Sequence, residues 1–196
     1  MNDISTERHV IVNGERFVPY LGADAIAQRV GEIAAAINAD FAGRKPILIC
    51  VLNGAFMFFA DLVRRVTIDC EVDFLRLSSY GERKISSGTV RLLKDLSCEA
   101  EGRHIVLVED IVDTGVSLDF MKKLIAEKRP ASLAIATLLH KPAQTRIEHA
   151  LDYVGFVIPP KFVIGYGLDY AQQARNLPEV FMLDAPDGSH PEFEEA

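Results

Sequence analysis

The apolar positions of the chain follow two patterns, one typical of helices and one typical of strands. Apolar side chains recur at helical spacing in residues 23–41, 55–66 and 115–129, which predicts three helices. Residues 46–52 and 103–108 are short continuous apolar runs, as expected for strands in the interior of a parallel sheet. The sequence therefore predicts helices that alternate with buried strands.

The other strand-like segments complete an α/β pattern. They are residues 9–12, 70–77, 89–93, 131–139, 153–158 and 180–183. Strands that alternate with helices predict a twisted parallel sheet flanked by helices, with residues 89–93 returning antiparallel. We expect residues 1–185 to form a single domain, with a small hood built from the terminal segments, and residues 186–196 to be a flexible acidic tail.

Residues 106–118 are the most informative segment, because a buried-type strand runs there into carboxylates, a Thr-Gly turn and the start of a helix. Ligands of parallel sheets bind where strands end and helix N-termini begin. We expect the backbone N–H groups of this turn to wrap an anion, and Gly115 to allow close approach and a positive φ. The residues of this predicted anion cradle are Asp113, Thr114, Gly115, Val116 and Ser117.

Two further carboxylates narrow the choice of ligand. Glu109 and Asp110 precede the cradle, where they would repel a bare phosphate but suit ribose hydroxyls or a hydrated Mg²⁺. A phosphorylated sugar is therefore the ligand that these residues favour. The alternative is an ordinary strand-to-helix connection in which Asp113 or Thr114 caps the helix.

Residues 109–117 resemble the signature of type I phosphoribosyltransferases, in which a Glu-Asp-x-x-Asp-Thr-Gly-x-Ser/Thr loop holds the ribose 5-phosphate of phosphoribosyl pyrophosphate. The resemblance implies that fold, and it assigns Asp113 as the catalytic residue that accepts a proton from the base. It also implies that Glu109 and Asp110 engage the ribose hydroxyls, directly or through Mg²⁺. Val116 stands where some members have Lys.

Four other segments resemble the hypoxanthine-guanine branch of that family, and together with the loop they cover most of the chain. They are Val-Leu-Asn-Gly-Ala-Phe-Met-Phe-Phe-Ala-Asp-Leu from Val51, Leu-Ser-Ser-Tyr from Leu77, Leu-Leu-His-Lys from Leu138, and Lys-Phe-Val-Ile-Gly-Tyr-Gly-Leu-Asp-Tyr from Lys161. The implied reaction joins phosphoribosyl pyrophosphate to a 6-oxopurine base and releases pyrophosphate. A homodimer or homotetramer is expected from the resemblance alone.

The resemblance also assigns the residues that bind the base. Lys141 corresponds to a lysine that donates to the purine 6-oxo group, which agrees with an ammonium having donors only. Phe162 resembles the residue that stacks on the base, and Val163 the one whose backbone carbonyl contacts the base edge. By themselves, Lys141 would be a solvated charge and Phe162 a core residue.

The remaining assignments concern pyrophosphate, metal and lid. Asn53 and Gly54 match the pyrophosphate-binding loop, where the family often has Lys before Gly and a non-proline cis peptide just ahead of it. Asp169 resembles a ligand that reaches a second Mg²⁺ through water, and Arg175 a pyrophosphate contact. Ser79 and Tyr80 resemble the start of a lid, and the polar residues 79–88 are expected to close over the reacting centre.

Composition excludes some classes of function. A formal net charge of −7 argues against a dedicated nucleic-acid surface, which would need clustered Lys and Arg. No apolar run approaches the ~18 residues of a membrane span, and the N-terminus has no signal-peptide pattern, so the cytoplasm is the expected compartment.

Two alternatives to this function stay open from the sequence. One is a regulatory protein that keeps the fold as a nucleotide sensor, although such proteins usually carry an added DNA-binding region or a basic RNA surface. The other is a phosphoribosyltransferase for xanthine, adenine or a pyrimidine, of which Lys141 and Phe162 disfavour the last two. The sequence does not rank hypoxanthine, guanine and xanthine.

Overall fold

The computed structural model describes residues 8–79, 90–145 and 150–184. The helices in these ranges are α1 (Ala23–Asp40), α2 (Phe56–Val63) and α3 (Val116–Ala126). The strands are β1 (Val10–Val12), β2 (Glu15–Leu21), β3 (Ile47–Leu52), β4 (Glu71–Ser79), β5 (Val90–Lys94), β6 (His104–Val112), β7 (Ser132–His140), β8 (Tyr153–Val157), β9 (Val163–Ile164) and β10 (Val180–Leu183). None of the described helices is long and apolar enough to cross a membrane.

Six strands form the main sheet in the order β5-β4-β3-β6-β7-β8. Neighbours from β4 to β8 run parallel, and β5 alone pairs antiparallel, with β4. The predicted parallel sheet with an antiparallel return is therefore confirmed. The carboxyl ends of β3, β6 and β7 consequently meet at one edge of the sheet, where ligands of such folds bind.

Helices cover both faces of this sheet, and strand periodicity determines which residue faces which helix. On β3, Leu48 and Cys50 pack with α1 and α2, whereas Ile47 and Ile49 pack against α3. All four side chains are fully buried. Because both faces are covered, β3 is apolar throughout and β6 is apolar from Ile105 to Val108, which accounts for the continuous apolar runs in the sequence.

The hood is a second sheet of four strands in the order β1-β2-β10-β9. Its small core includes Phe17, Ile164 and Phe181. The sequence pattern missed β2, because Pro19 interrupts it and proline is rare in central strands. Pro19 is accommodated opposite Phe181, next to a register shift between Val180 and Phe181.

One boundary correction matters for function. The sequence pattern ends the central strand at Val108, but β6 continues to Val112, because its parallel pairing with β7 continues as far as the Val112 and His140 pair. Glu109 and Asp110 therefore lie within the strand and not after it. The tail 186–196 and, apart from the main chain of Ser79, the predicted lid 79–88 lie outside the described residues.

Candidate active site

The anion cradle forms at the end of β6, where the chain turns into α3. Gly115 precedes the first helical residue with φ +82°, the left-handed conformation that the sequence predicted for it. A cavity of about 240 Å³ lies here, and Asp113, Thr114 and Ser117 are among the residues that line it. Val116 does not line the cavity, and its N–H instead faces Thr114 Oγ1 at 3.5 Å. The cavity lining thus comes from the predicted turn, and anion binding by Val116 stays a prediction.

Glu109 and Asp110 extend the same cavity with two carboxylates whose charge is disfavoured. Burial, and next the charge of Asp110, raise the pKa of Glu109 well above its ordinary value. Burial also raises the pKa of Asp110 to about 6, although one of its oxygens accepts the Ile111 N–H at 2.9 Å. Glu109 Oε2 is buried and has no hydrogen-bond partner among the described residues. An unpaired buried acceptor of this kind is typical of a site completed by a ligand's donors or by a cation.

The Asn53-Gly54 loop touches this carboxylate pair. The Leu52–Asn53 peptide bond is cis, as in the family to which the segment was compared. A Cβ atom on Gly54 would lie 1.6 Å from Asp110 Oδ2, so any larger residue would displace the Asp110 carboxylate. A Cβ on Gly167 would similarly meet the Gly54 carbonyl oxygen at 2.1 Å. The Gly54 main chain therefore packs against the Asp110 carboxylate, and the Gly167 main chain packs against that of Gly54.

A second cavity of about 360 Å³ lies beside the first, within the usual size range of small-molecule sites. It is lined by Asp110, Ile111, Asp113, Lys141, Phe162, Val163, Leu168 and Asp169. Six of these residues were predicted from the sequence. Ile111 and Leu168 were missed, because isolated apolar residues beside a motif carry no signal of their own.

Lys141 and Asp113 form an ion pair in the wall of this second cavity. Lys141 Nζ lies 3.0 Å from Asp113 Oδ2, and Lys141 is only 3% exposed. A buried ammonium is costly unless it is paired, so this is not the solvated lysine that is the commoner case. Asp113 Oδ1 is buried and accepts no hydrogen bond from the part of the chain that the structure describes. The pair thus presents one cationic donor and one free carboxylate acceptor side by side.

Phe162 and Val163 approach from the hood. The Phe162 ring is half-buried and packs edge-on against Tyr170, with ring centroids 5.5 Å apart. Phe162 O accepts the Leu183 N–H at 2.9 Å, so the alternation of an antiparallel pair directs the main-chain groups of Val163 away from β10. Because β9 is an edge strand, the Val163 carbonyl faces outward from the sheet.

Asp169 and Arg175 pair with each other at the other side of the site. Their side chains are 2.7 Å apart, and the Arg175 guanidinium also donates to Gly167 O at 2.8 Å. Both charges influence the pKa of Asp110, Arg175 lowering it and Asp169 raising it. Arg175 is therefore close to Asp110, and its contact with pyrophosphate stays a prediction.

Two assignments are not brought into the site by the described residues. Tyr80 lies outside them, and only the main chain of Ser79 is described, at the carboxyl end of β4.

No group of three His, Cys, Asp or Glu residues in the described part of the chain converges as a metal site. Glu109, Asp110 and Asp169 thus do not form a protein-only metal cage.

The sequence model described as "Phosphoribosyl transferase domain" matches residues 20–171. The chain belongs to the phosphoribosyltransferase family. A hypoxanthine-guanine phosphoribosyltransferase from Bacillus subtilis is 40% identical over 163 residues, which are 83% of this chain and 91% of the relative. A crystal structure of such a protein from Bacillus anthracis aligns with a TM-score of 0.80 and 38% identity, over 84% of this chain and 96% of that one.

Some relatives are much longer than this phosphoribosyltransferase. The bifunctional protein TilS/HprT of Listeria monocytogenes is 42% identical over 163 residues, and the match covers 25% of its length. The chain thus spans about a quarter of that relative. The predicted fold class, a parallel sheet flanked by helices with a hood, is confirmed by these comparisons.

Proposed function

We propose that the protein is a purine salvage enzyme that transfers ribose 5-phosphate from phosphoribosyl pyrophosphate to N9 of hypoxanthine or guanine, giving IMP or GMP and pyrophosphate. The observation that carries this proposal is the Lys141–Asp113 pair, whose charged atoms are 3.0 Å apart in the wall of a cavity that adjoins the anion cradle.

The pair matches one edge of a 6-oxopurine. O6 and N7 are neighbours on that edge, so a donor and an acceptor side by side can bind both atoms. The Lys141 ammonium donates to O6, while Asp113 accepts from N7–H. Adenine offers an amine instead of O6, which would face the ammonium donor to donor. The half-buried Phe162 ring contributes stacking area that any purine can use.

The same residues account for the proton that the reaction releases. As N9 bonds to C1 of the ribose, the bond from C1 to the pyrophosphate oxygen breaks and the N7 proton becomes acidic. Asp113 accepts that proton and stabilises the charge that develops on the base. The C1 centre becomes oxocarbenium-like, as in other glycosyl transfers, so water has to be excluded from it.

The sugar phosphate occupies the first cavity in this proposal. The N–H groups of the anion cradle bind the 5-phosphate at the start of α3, assisted by the helix dipole. Glu109 and Asp110 accept the ribose hydroxyls, which satisfies the unpaired Glu109 Oε2. Arg175 and the main chain at Asn53 and Gly54 bind the pyrophosphate.

Mg²⁺ is the cofactor we propose, and the residues present fit it. It prefers oxygen ligands and usually takes most of them from water and phosphate, which suits a site without a protein-only cage. Glu109 and Asp110 would hold it with the ribose hydroxyls, and Asp169 would reach a second ion through water. When bound, it neutralises the pyrophosphate leaving group.

We also propose the assembly, lid and compartment from the family resemblance. Ser79 and Tyr80 begin a lid that closes over the reacting centre. The protein works in the cytoplasm as a homodimer or homotetramer. Phe56, Val72 and Phe74 are each more than a third exposed, which is apolar surface of the kind that subunit interfaces bury. Analytical ultracentrifugation tests the assembly, and a monomer at micromolar concentration would contradict it.

Pyrophosphate release tests the function. Purified protein is mixed with phosphoribosyl pyrophosphate, Mg²⁺ and one base at a time: hypoxanthine, guanine, xanthine, adenine or uracil. We expect release with hypoxanthine and guanine, almost none with adenine or uracil, and none when excess chelator removes Mg²⁺. Release with uracil or adenine alone, or full turnover in chelator, would refute the proposal.

A further inference from the structure

The turn that follows β7 binds the loop that follows β6, and one hydroxyl group makes the connection. Thr145 Oγ1 lies 2.8 Å from the main-chain oxygen of Asp113 and 3.0 Å from that of Lys141. These are the two residues of the ion pair that faces the second cavity. The hydroxyl therefore contacts the main chain of both.

Main-chain hydrogen bonds make this turn a firm support. Lys141 donates its N–H to Val112 O at 2.9 Å, and its carbonyl accepts the N–H groups of Gln144 and Thr145 at 3.1 and 3.2 Å. Lys141 is thereby tied to β6 on one side and to Thr145 on the other. The Asp113 carbonyl follows the end of β6, so its bond to Thr145 Oγ1 fixes the loop just where the carboxylate projects.

His140 gives the hydroxyl a third partner. Its Nε2 lies 3.3 Å from Thr145 Oγ1, and burial lowers the pKa of His140, which favours the neutral ring. A hydroxyl has one proton, and two carbonyl oxygens already compete for it. The consistent assignment has Nε2–H donating to Oγ1, which in turn donates to Asp113 O. This chain of bonds orients the hydroxyl toward Asp113.

We propose that Thr145 is a positioning residue for base recognition, whose hydroxyl keeps Asp113 and Lys141 at the spacing that matches N7 and O6 of a 6-oxopurine. The proposal rests on the proposed function, since it concerns the same base site. Thr145 acts through Asp113 and Lys141 and does not touch the base. It lies outside every motif that the sequence comparison used, and only the fold brings it next to Asp113.

Thr145→Val removes the hydroxyl and keeps the branched shape. The loss of one hydrogen bond, about 0.5–1.5 kcal/mol, should raise KM for hypoxanthine about three- to tenfold. KM for phosphoribosyl pyrophosphate should change much less, because the hydroxyl bonds only the Asp113 end of the anion cradle and makes no bond to Glu109 among the described contacts. Thr145→Ser keeps the hydroxyl and should restore the wild-type KM. A loss of folded protein would lower kcat alone, so it cannot imitate a change in one KM.

Ser132→Ala is the matched control. Ser132 Oγ lies 2.8 Å from a ring nitrogen of His104 at the opposite end of β7, so this variant also removes a hydroxyl that pairs with a histidine. It should leave both KM values unchanged.

A second comparison uses Lys141→Met, in which the donor to O6 is gone. Thr145→Val should then add little to the loss, because the two residues act on one interaction.

The outcomes separate this inference from the proposed function. If the wild type turns over no 6-oxopurine, the proposed function fails and this inference fails with it. If the wild type is active and Thr145→Val leaves KM for hypoxanthine unchanged, only this inference is overturned. It is also overturned if both KM values rise equally, if Thr145→Ser does not restore activity, or if the loss is fully additive with Lys141→Met.

Discussion

Asp110 and Asp113 are close neighbours in the chain and line the same two cavities, but their side chains have different partners. Asp113 pairs with Lys141 in the wall of the base cavity, whereas Asp110 lies against Gly54 and is influenced by Arg175 and Asp169. A carboxylate beside the base can act on the N7 proton, and a carboxylate beside the ribose cannot. The two residues should therefore affect different kinetic constants.

Asn substitutions separate the two roles. Asp113→Asn should lower kcat by roughly 10²-fold or less, at the low end of acid–base contributions, and leave the affinity for phosphoribosyl pyrophosphate intact. Asp110→Asn should instead weaken binding of that substrate, because a ribose contact is lost. Calorimetry with phosphoribosyl pyrophosphate and Mg²⁺, together with steady-state kcat, measures both effects. Equal losses of binding in the two variants would contradict this division.

The sequence could predict the residue types of the site but not their pairing. Glu109, Asp110 and Asp113 stand in one continuous motif, so local pattern was enough to find them. Lys141 is 28 positions from Asp113, and their ion pair exists only because β6 and β7 lie side by side. Thr145 belongs to no recognised motif, and its contact with Asp113 likewise exists only because β6 and β7 lie side by side.

At the scale of elements, the loop between β3 and α2 is packed against β6 with no room for a side chain. A Cβ on Gly54 would overlap the Asp110 carboxylate at 1.6 Å, so the carboxylate would have to move. The moving atoms are the end of a side chain, so the loss should fall on ligand binding more than on folding. Local sequence could mark the Asn-Gly turn, but not what it contacts.

Gly54→Ala tests this contact. We expect KM for phosphoribosyl pyrophosphate to rise at least about tenfold, since a shift of 1.4 kcal/mol in binding corresponds to that factor. The matched control is Gly31→Ala in α1, where a new Cβ would meet nothing within 4 Å. That control should stabilise the protein by about 0.5–1 kcal/mol and leave the kinetics unchanged. Wild-type kinetics for Gly54→Ala would contradict the account.

The sequence predicted the helices and strands whose apolar residues follow a single helical or strand period. Helix α1 begins at Ala23 as the pattern indicated, and β10 has its expected bounds. β2 was missed because its proline argues against a strand, and the two-residue β9 because it is too short to show a period. The extension of β6 depends on pairing with β7, which single-sequence periodicity does not contain.

At the scale of the whole molecule, the site is maintained at a cost in stability. The pKa of Asp110 is raised to about 6 from 3.8, and that of Glu109 is raised as well, so the folded state binds these protons more tightly than the unfolded chain. The free energy of unfolding therefore decreases as pH rises from the ordinary pKa range of these carboxyls, and the part due to Asp110 is complete above about pH 6. Mg²⁺ bound at these carboxylates is expected to offset this loss of stability.

Asp110→Asn should reveal this penalty. Asn keeps an oxygen that can accept the Ile111 N–H but carries no charge. At pH 7.5 the free variant should be more stable than the wild type by roughly 1–3 kcal/mol, and the difference should vanish near pH 4. Urea unfolding at both pH values measures it. A variant that is less stable at pH 7.5, or a difference independent of pH, would contradict the explanation.

The central claim is that Lys141 selects the base. The most direct test compares wild type and Lys141→Met by steady-state kcat/KM for hypoxanthine, guanine and adenine. A polar mismatch between the ammonium and the adenine amine can reach about 10⁴-fold, so the wild type should act strongly on the two 6-oxopurines and almost not at all on adenine. Lys141→Met should lose activity on the 6-oxopurines selectively, which narrows the gap. If the wild type prefers adenine, or if the variant loses nothing on hypoxanthine, the assignment of the base site is wrong.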